Sequence, residues 1–364
     1  MKILYVSHPD SPYTRRWLSW FAAHGHHVTL AADHKIMIGW PGMNIYPLAD
    51  QFNVSLIKYL VWSYQLRRLI AHLEPDILHA HRVSVAGWLA ASINFHPLVI
   101  TPWGSDLYQH PERSLIAKWL AKFVLGRADL VTADSRDLCQ QAIRYGANPK
   151  YTHLINWGVN LDVFMPGEKP IDMLNMLKIL TGPIILSPRA VKPIYNLDMI
   201  VRTIPTIRNQ FPNVVYIFRD YNTDPKYKLH IDNLINELDV SKSVRWLERI
   251  EPWELNADVY RLADLAISIA SSDGTPGSVL EAFACGVPVI ASDLPSLREW
   301  IKDGHNGYLV SPRNSDDLES ALLKLLNHPE KINQFRNMNL SLVRQKADQD
   351  IEMHKMDKLY RKLL

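Results

Sequence analysis

The sequence predicts an α/β protein built as two halves, each a parallel sheet covered by helices. Three observations predict it. Short apolar runs alternate with longer amphipathic stretches along almost the whole chain, the same grammar occurs twice, and a stretch of turn formers separates the two occurrences. Strand–helix alternation implies parallel strands buried on both faces. The 364 residues suit two domains of roughly 150 to 200 residues each. The expected architecture is therefore two Rossmann-like domains facing a cleft, with ligands at the carboxyl ends of the strands.

In the first half, strands are expected over residues 3–6, 28–31, 77–80, 98–101, 130–132 and 152–155. Helical spacing runs between them. Residues 13–24 have apolar positions at Trp17, Leu18, Trp20 and Phe21; residues 54–73 have them at Leu56, Ile57, Leu60, Trp62, Leu66, Leu69 and Ile70; residues 115–125 are similar. Residues 156–167 hold turn formers and Pro166-Gly167, which marks a domain junction. The expected division is 1–164 and 165–347, with 168–181 as a linker and a short amphipathic segment. In the second half, strands are expected over 184–187, 214–218, 244–247, 265–269, 288–291 and 308–310. The tail, 348–364, repeats Ile351, Met353, Met356, Leu359, Tyr360 and Leu363 at helical spacing and reads as a docked terminal helix.

Composition excludes several classes. Hydrophobic residues at 47% and charged residues at 21% exclude a disordered chain. A net charge of +3 gives no footprint for nucleic acid. Two distant cysteines, Cys139 and Cys285, form neither a disulfide framework nor a metal spacing, and a cytoplasmic location is expected. No apolar run reaches the ~18–20 residues of a membrane span.

The richest stretch is 271–290. A strand runs into Ser271-Ser272-Asp273-Gly274-Thr275-Pro276-Gly277-Ser278, then into an Ala-rich helix, then through Gly286 into another strand. Asp273 and Glu281 bracket the loop with seven residues between them. N–H groups at a helix N-terminus bind phosphate. A carboxylate inside that helix can accept hydrogen bonds from a sugar diol. Such a loop suits a polyhydroxylated ligand carrying a diphosphate.

Asp273-x7-Glu281 followed by Ala-Phe-Ala-Cys-Gly-Val-Pro-Val-Ile resembles the signature of the retaining glycosyltransferases of family four. Further segments resemble that family in the expected order: Gly25-His26-His27-Val28, Asp76-Ile77-Leu78-His79-Ala80-His81, Ile155-Asn156-Trp157-Gly158-Val159-Asn160 and Glu299-x7-Gly307. The resemblance implies the GT-B fold, with the terminal helix crossing back onto the first domain. It implies that Glu281 binds the ribose of a nucleotide sugar, that Asp273 lies near the donor sugar, and that Gly274, Thr275, Pro276, Gly277 and Ser278 contact sugar and diphosphate. Arg189 matches the family's diphosphate arginine, and a forked guanidinium suits that task. Arg249 lies where the family's backbone meets the base. No metal and no separate cofactor are expected; the donor, a UDP-sugar by this reading, is a substrate.

The match has departures. The family's lysine-glycine reads Ile194-Tyr195-Asn196, leaving Lys192 as the nearest lysine. Its Gly-rich turn reads Phe218-Arg219-Asp220-Tyr221, where Arg219 supplies charge or sits at the surface. Trp103 stands in the place of the family's sugar-contacting histidine, and Asp106 is a candidate polar contact. Asp273 is one methylene shorter than the usual glutamate. The expected activity is transfer of a hexose-type unit to a hydroxyl of a polysaccharide precursor or glycolipid, with Asp273, Arg189 and Asp106 as catalytic candidates. The alternatives are a sugar-nucleotide epimerase on the same fold and, given the missing lysine and histidine, a catalytically silent nucleotide-sugar-binding subunit. Basic pairs on first-domain helices, among aromatics, suggest peripheral contact with the inner face of an anionic membrane.

Overall fold

The computed structural model describes residues 1–34, 40, 42–48 and 55–364, without the side chains of 55 and 56. The expected helix start at residue 54 and the side chain of Leu56 fall outside these residues. The chain divides into two units, Met1–Trp157 with Gln349–Leu364, and Gly158–Asp348. The first break falls at 157/158, not at 164/165, because Val159 and Phe164 are buried in the second unit's core.

The first unit runs β1 (Lys2–Ser7), α1 (Pro12–Ala23), β2 (His27–Ala32), β3 (Asn44–Pro47), α2 (Ser55–Leu73), β4 (Ile77–His81), α3 (Val85–Ile93), β5 (Leu98–Thr101), α4 (Ser105–Tyr108), α5 (Leu115–Arg127), β6 (Leu130–Ala133), α6 (Arg136–Arg144) and β7 (Thr152–Leu154). Its seven strands are parallel in the order β3-β2-β1-β4-β5-β6-β7. The sequence reading missed β3. That strand is four residues long, stands at the sheet edge and ends on Pro47, which donates no ladder hydrogen bond.

The second unit runs α7 (Ile171–Met176), β8 (Ile184–Ser187), α8 (Leu197–Gln210), β9 (Val215–Asp220), α9 (Pro225–Glu237), β10 (Val244–Glu248), α10 (Asn256–Leu262), β11 (Leu265–Ser268), α11 (Gly277–Ala284), β12 (Val289–Ser292), α12 (Pro295–Arg298), β13 (Tyr308–Val310), α13 (Ser315–Leu326) and α14 (Pro329–Lys346). Its six strands are parallel in the order β10-β9-β8-β11-β12-β13. Gly286 ends α11 at φ +75°, and a Cβ there would meet Arg336 Cγ at 3.1 Å, so the turn requires glycine.

The last helix, α15 (Gln349–Leu363), belongs to the first unit. Met353, Met356 and Tyr360 are buried with Tyr5, Trp17 and Phe21 of β1 and α1. The opposite face of the sheet packs Leu4, Val6, Leu78 and Ala80 against α2, α3 and α5. Alternation along β4 thus sends His79 and His81 toward α1 and α15. Both are fully buried, with ring centroids 4.7 Å apart. His79 bonds the Tyr360 hydroxyl and Thr101 Oγ1.

Each sheet has one switch point. The chain leaves β1 for β2 and β3 on one side and returns to β4 on the other; it leaves β8 for β9 and β10 and returns to β11. At these junctions the loops beyond the strands diverge and leave a crevice.

Candidate functional site

The second unit assembles its candidate residues at the β8/β11 junction. Arg189 follows β8, and Asp273 follows β11. An Arg189 Nη lies 2.8 Å from Asp273 Oδ2, and the other donates to Ser278 Oγ at 3.1 Å. The guanidinium stacks over Tyr195, 4.2 Å from the ring centroid. Ser296 Oγ donates to the Asp273 carbonyl, and Trp300 Nε1 donates to Thr275 Oγ1, so the loop is tied from behind. Burial raises the Asp273 pKa against the opposing pull of Arg189 and the Gly274 N–H. Neither Gly274 nor Gly277 has a positive φ. A left-handed backbone therefore does not account for glycine there.

Helix α11 starts at Gly277 behind Pro276, with no side-chain cap. An uncapped first turn leaves N–H groups turned outward. Glu281, one turn inside, is fully buried. Its Oε2 accepts from the Tyr260 hydroxyl at 2.8 Å and its Oε1 from Trp253 Nε1 at 3.3 Å. A carboxylate offers about four lone-pair positions, the kind of acceptor that a sugar diol needs.

The remaining second-unit candidates lie around this core. Lys192 is half-buried beyond β8; burial lowers its pKa and Asp224 pulls it back up. Arg249, beyond β10, pairs with Glu251. Arg219 is not at the surface. It is buried at the end of β9, its guanidinium lies 5.4 Å from the Tyr221 ring centroid, and burial lowers its pKa while Tyr221, Tyr260 and Glu281 raise it. Sequence reasoning weighed Arg219 without choosing it and passed over Tyr221, Trp253 and Tyr260. Placement at the carboxyl end of β9 was the available signal for Arg219 and Tyr221.

Trp103 and Asp106 belong to the first unit and form an arrangement of their own. The Asp106 carboxylate accepts from the Val83 N–H at 2.6 Å and the Trp103 N–H at 2.8 Å. It thereby ties the loop after β4 to the loop after β5. Trp103 packs among Trp157, His81 and Arg82, at 5.0, 5.8 and 5.6 Å. Four buried nitrogens in this cluster, His81 Nε2, Arg82 Nε, Trp103 Nε1 and Trp157 Nε1, have no hydrogen-bond partner. Buried polar groups of this kind are uncommon in a finished core. At the β1/β4 junction itself Arg82 pairs with Asp33, Asp33 with His34, and His34 stacks on His8 at 4.3 Å. Sequence reasoning did not select His8, Asp33 or Arg82.

Two family models match the chain. The one described as glycosyl transferase 4-like covers residues 2–135, and the one described as glycosyl transferases group 1 covers residues 174–339. Each falls on one unit, and together they span most of the chain. Each unit thus matches a glycosyltransferase family model of its own. Among solved structures, sucrose-phosphate synthase from Thermosynechococcus elongatus is similar with a TM-score of 0.85 at 20% identity, covering 100% of this chain and 99% of that one. HepE from Anabaena, solved with UDP and glucose, gives 0.84 at 19%, covering 100% of both. These likenesses establish the GT-B fold. D-inositol 3-phosphate glycosyltransferase from Geodermatophilus obscurus is 27% identical over 283 residues, 71% of this chain and 62% of that protein. The chain spans between about half and two thirds of the length of such curated relatives.

Proposed function

We propose that the protein is a retaining glycosyltransferase that moves a hexose-type unit from a UDP-sugar to a hydroxyl of a glycan precursor or glycolipid. The observation that carries this reading is the meeting of Arg189, Asp273 and Ser278 at the β8/β11 junction, one helical turn from buried Glu281. Glu281 takes the ribose diol. Arg189, with Lys192 nearby, and the first N–H groups of α11 meet the charge that develops on the departing diphosphate. Asp273 holds Arg189 in place and faces the donor sugar. No metal is invoked for these roles.

HepE, a structural neighbour, was solved with UDP-glucose, which supports the choice of base. For the acceptor, the unpartnered nitrogens around Trp103 and the Asp33–Arg82 pair offer donors and acceptors suited to sugar hydroxyls. Asp106 orients that shell by holding its two loops. A glycolipid acceptor would bring the protein to the inner face of an anionic membrane. A thermal-shift screen of nucleotide sugars tests the donor reading. A ligand at ~100 times its dissociation constant stabilises by about 2.7 kcal/mol. UDP-sugars are expected to raise the melting temperature, and no shift with any nucleotide sugar would defeat the proposal.

A further inference from the structure

Helix α5 wears its apolar residues on the wrong side for a soluble surface. Leu115 is 86% exposed, Ile116 72% and Trp119 60%. The helix is anchored by Ser114, whose Oγ accepts from the Ala117 N–H at 3.1 Å, so these residues sit in a fixed first turn and a half. Trp119 stacks on Phe123, extending the ridge along the axis. Lys118 and Lys122 flank it on one side, four residues apart.

Behind the ridge lies a pocket of ≈ 270 Å³ between α2, α3 and α5. Its walls are mostly apolar, with Tyr59, Val85, Trp88 and Leu120 among them and Asp106 and His110 at one end. The volume is just under the ~300 Å³ at which small-molecule sites begin and suits one slender chain. Helix α2, which supplies Tyr59, also exposes Leu60 and Tyr64. The three helices carry charge of one sign. Helices α2 and α5 carry Lys58, Arg67, Arg68, Lys118, Lys122 and Arg127 and no carboxylate, and α3 carries no charge. The whole chain, by contrast, has 37 acidic residues against 40 basic ones.

We infer that this face of the first unit docks on an anionic lipid bilayer, with Leu115, Ile116 and Trp119 inserted and one hydrocarbon chain entering the pocket between α2, α3 and α5. An apolar ridge flanked by lysines lies flat in the headgroup region, with its apolar side among the acyl chains. The cations supply the attraction to anionic headgroups. A second copy of this chain would bury the same apolar residues but would oppose like charges. This inference deepens the membrane contact proposed above and names the residues that make it.

Co-sedimentation of the full chain with vesicles tests it. Partitioning onto phosphatidylglycerol/phosphatidylcholine vesicles is expected to exceed that onto pure phosphatidylcholine by about tenfold and to fall in high salt. The exposed double variant Leu115→Ser/Trp119→Ser is expected to lose about tenfold in partitioning at unchanged melting temperature. Lys118→Gln/Lys122→Gln is expected to lose the preference for phosphatidylglycerol. Ala121→Phe, which fills the pocket, is expected to weaken retention with the ridge intact. Failure of the wild type to bind vesicles, or wild-type binding by the serine variant, would overturn the inference. So would a dimer in light scattering that the serine variant splits. UDP titration of the same proteins separates the two readings: UDP affinity is expected to be equal in all of them, and its absence throughout would count against the transferase reading alone.

Discussion

Arg189 and Asp273 join β8 to the loop beyond β11 through a 2.8 Å ion pair, with both side chains largely buried. The pair spans the one place in the second sheet where the strand order reverses. A buried pair of this kind is costly to break from one side, because the survivor keeps its charge without a partner. Arg189→Ala is therefore expected to destabilise the second unit by on the order of 3 kcal/mol. Adding Asp273→Ala should recover part of that loss. A double-mutant cycle by urea denaturation should give a coupling of about 0.5–3 kcal/mol; additive losses would mean that the two side chains do not act together.

Glu281 and Asp273 should fail differently. Glu281→Ala removes the acceptor for Tyr260 and Trp253 and the proposed ribose contact. It is expected to weaken UDP binding by at least about tenfold and to cost about 1–3 kcal/mol of stability, the usual result of stranding buried donors. Asp273→Ala is expected to lower turnover about 100-fold with UDP affinity little changed. Calorimetric titration with UDP and initial rates separate the two. Undiminished UDP affinity and turnover in both variants would remove this site from the mechanism.

The unpartnered indole of Trp103 gives a sharper test than a bound contact would. Trp103→Phe removes a buried N–H that bonds nothing within the chain. Stability is expected to stay level or rise. If that N–H serves an acceptor hydroxyl, the acceptor KM is expected to rise about five- to tenfold, equivalent to one modest hydrogen bond, with the donor KM unchanged. Steady-state kinetics with each substrate varied in turn would decide it.

Acid should weaken the first unit through β4. Burial, reinforced by Arg82, lowers the His81 pKa to about 3 from 6.5, and burial holds His79 well below its usual value. Between those limits the unfolded chain binds protons that the folded one does not. Stability therefore rises with pH across this window and is lost as pH falls from about 6.5 toward 3, by up to about 1.4 kcal/mol per pH unit for each histidine. His81→Gln should flatten the slope between pH 5 and 7 in denaturant titrations. An unaltered slope would show that His81 takes no part in it.

Most strands were legible because buried parallel strands are plain apolar runs, such as Ile184 to Ser187 and Leu98 to Thr101. Edge strand β3 was not, since Asn44-Ile45-Tyr46-Pro47 lacks that signal and draws its order from pairing with β2. In the site, the loop at Asp273 and the carboxylate at Glu281 stood out through their spacing. Arg189 could be aligned with them, but the ion pair joins residues 84 apart and only the fold makes it. The bonds of Asp106 to Val83 and Trp103 were equally hidden, because they depend on how two loops lie side by side. Arg219 was ambiguous for a related reason. An arginine at a strand end reads as solvated until the walls of Tyr221 and Tyr260 are known.

Because α15 completes the first unit, the order of synthesis and the order of completion are reversed. A ribosome makes every residue of Gly158–Asp348 before it makes Met353, Met356 and Tyr360. Until then Tyr5, Trp17 and Phe21 lack the helix that covers them. The nascent amino-terminal half must wait, with part of its interior wet, for α15 to emerge from the tunnel.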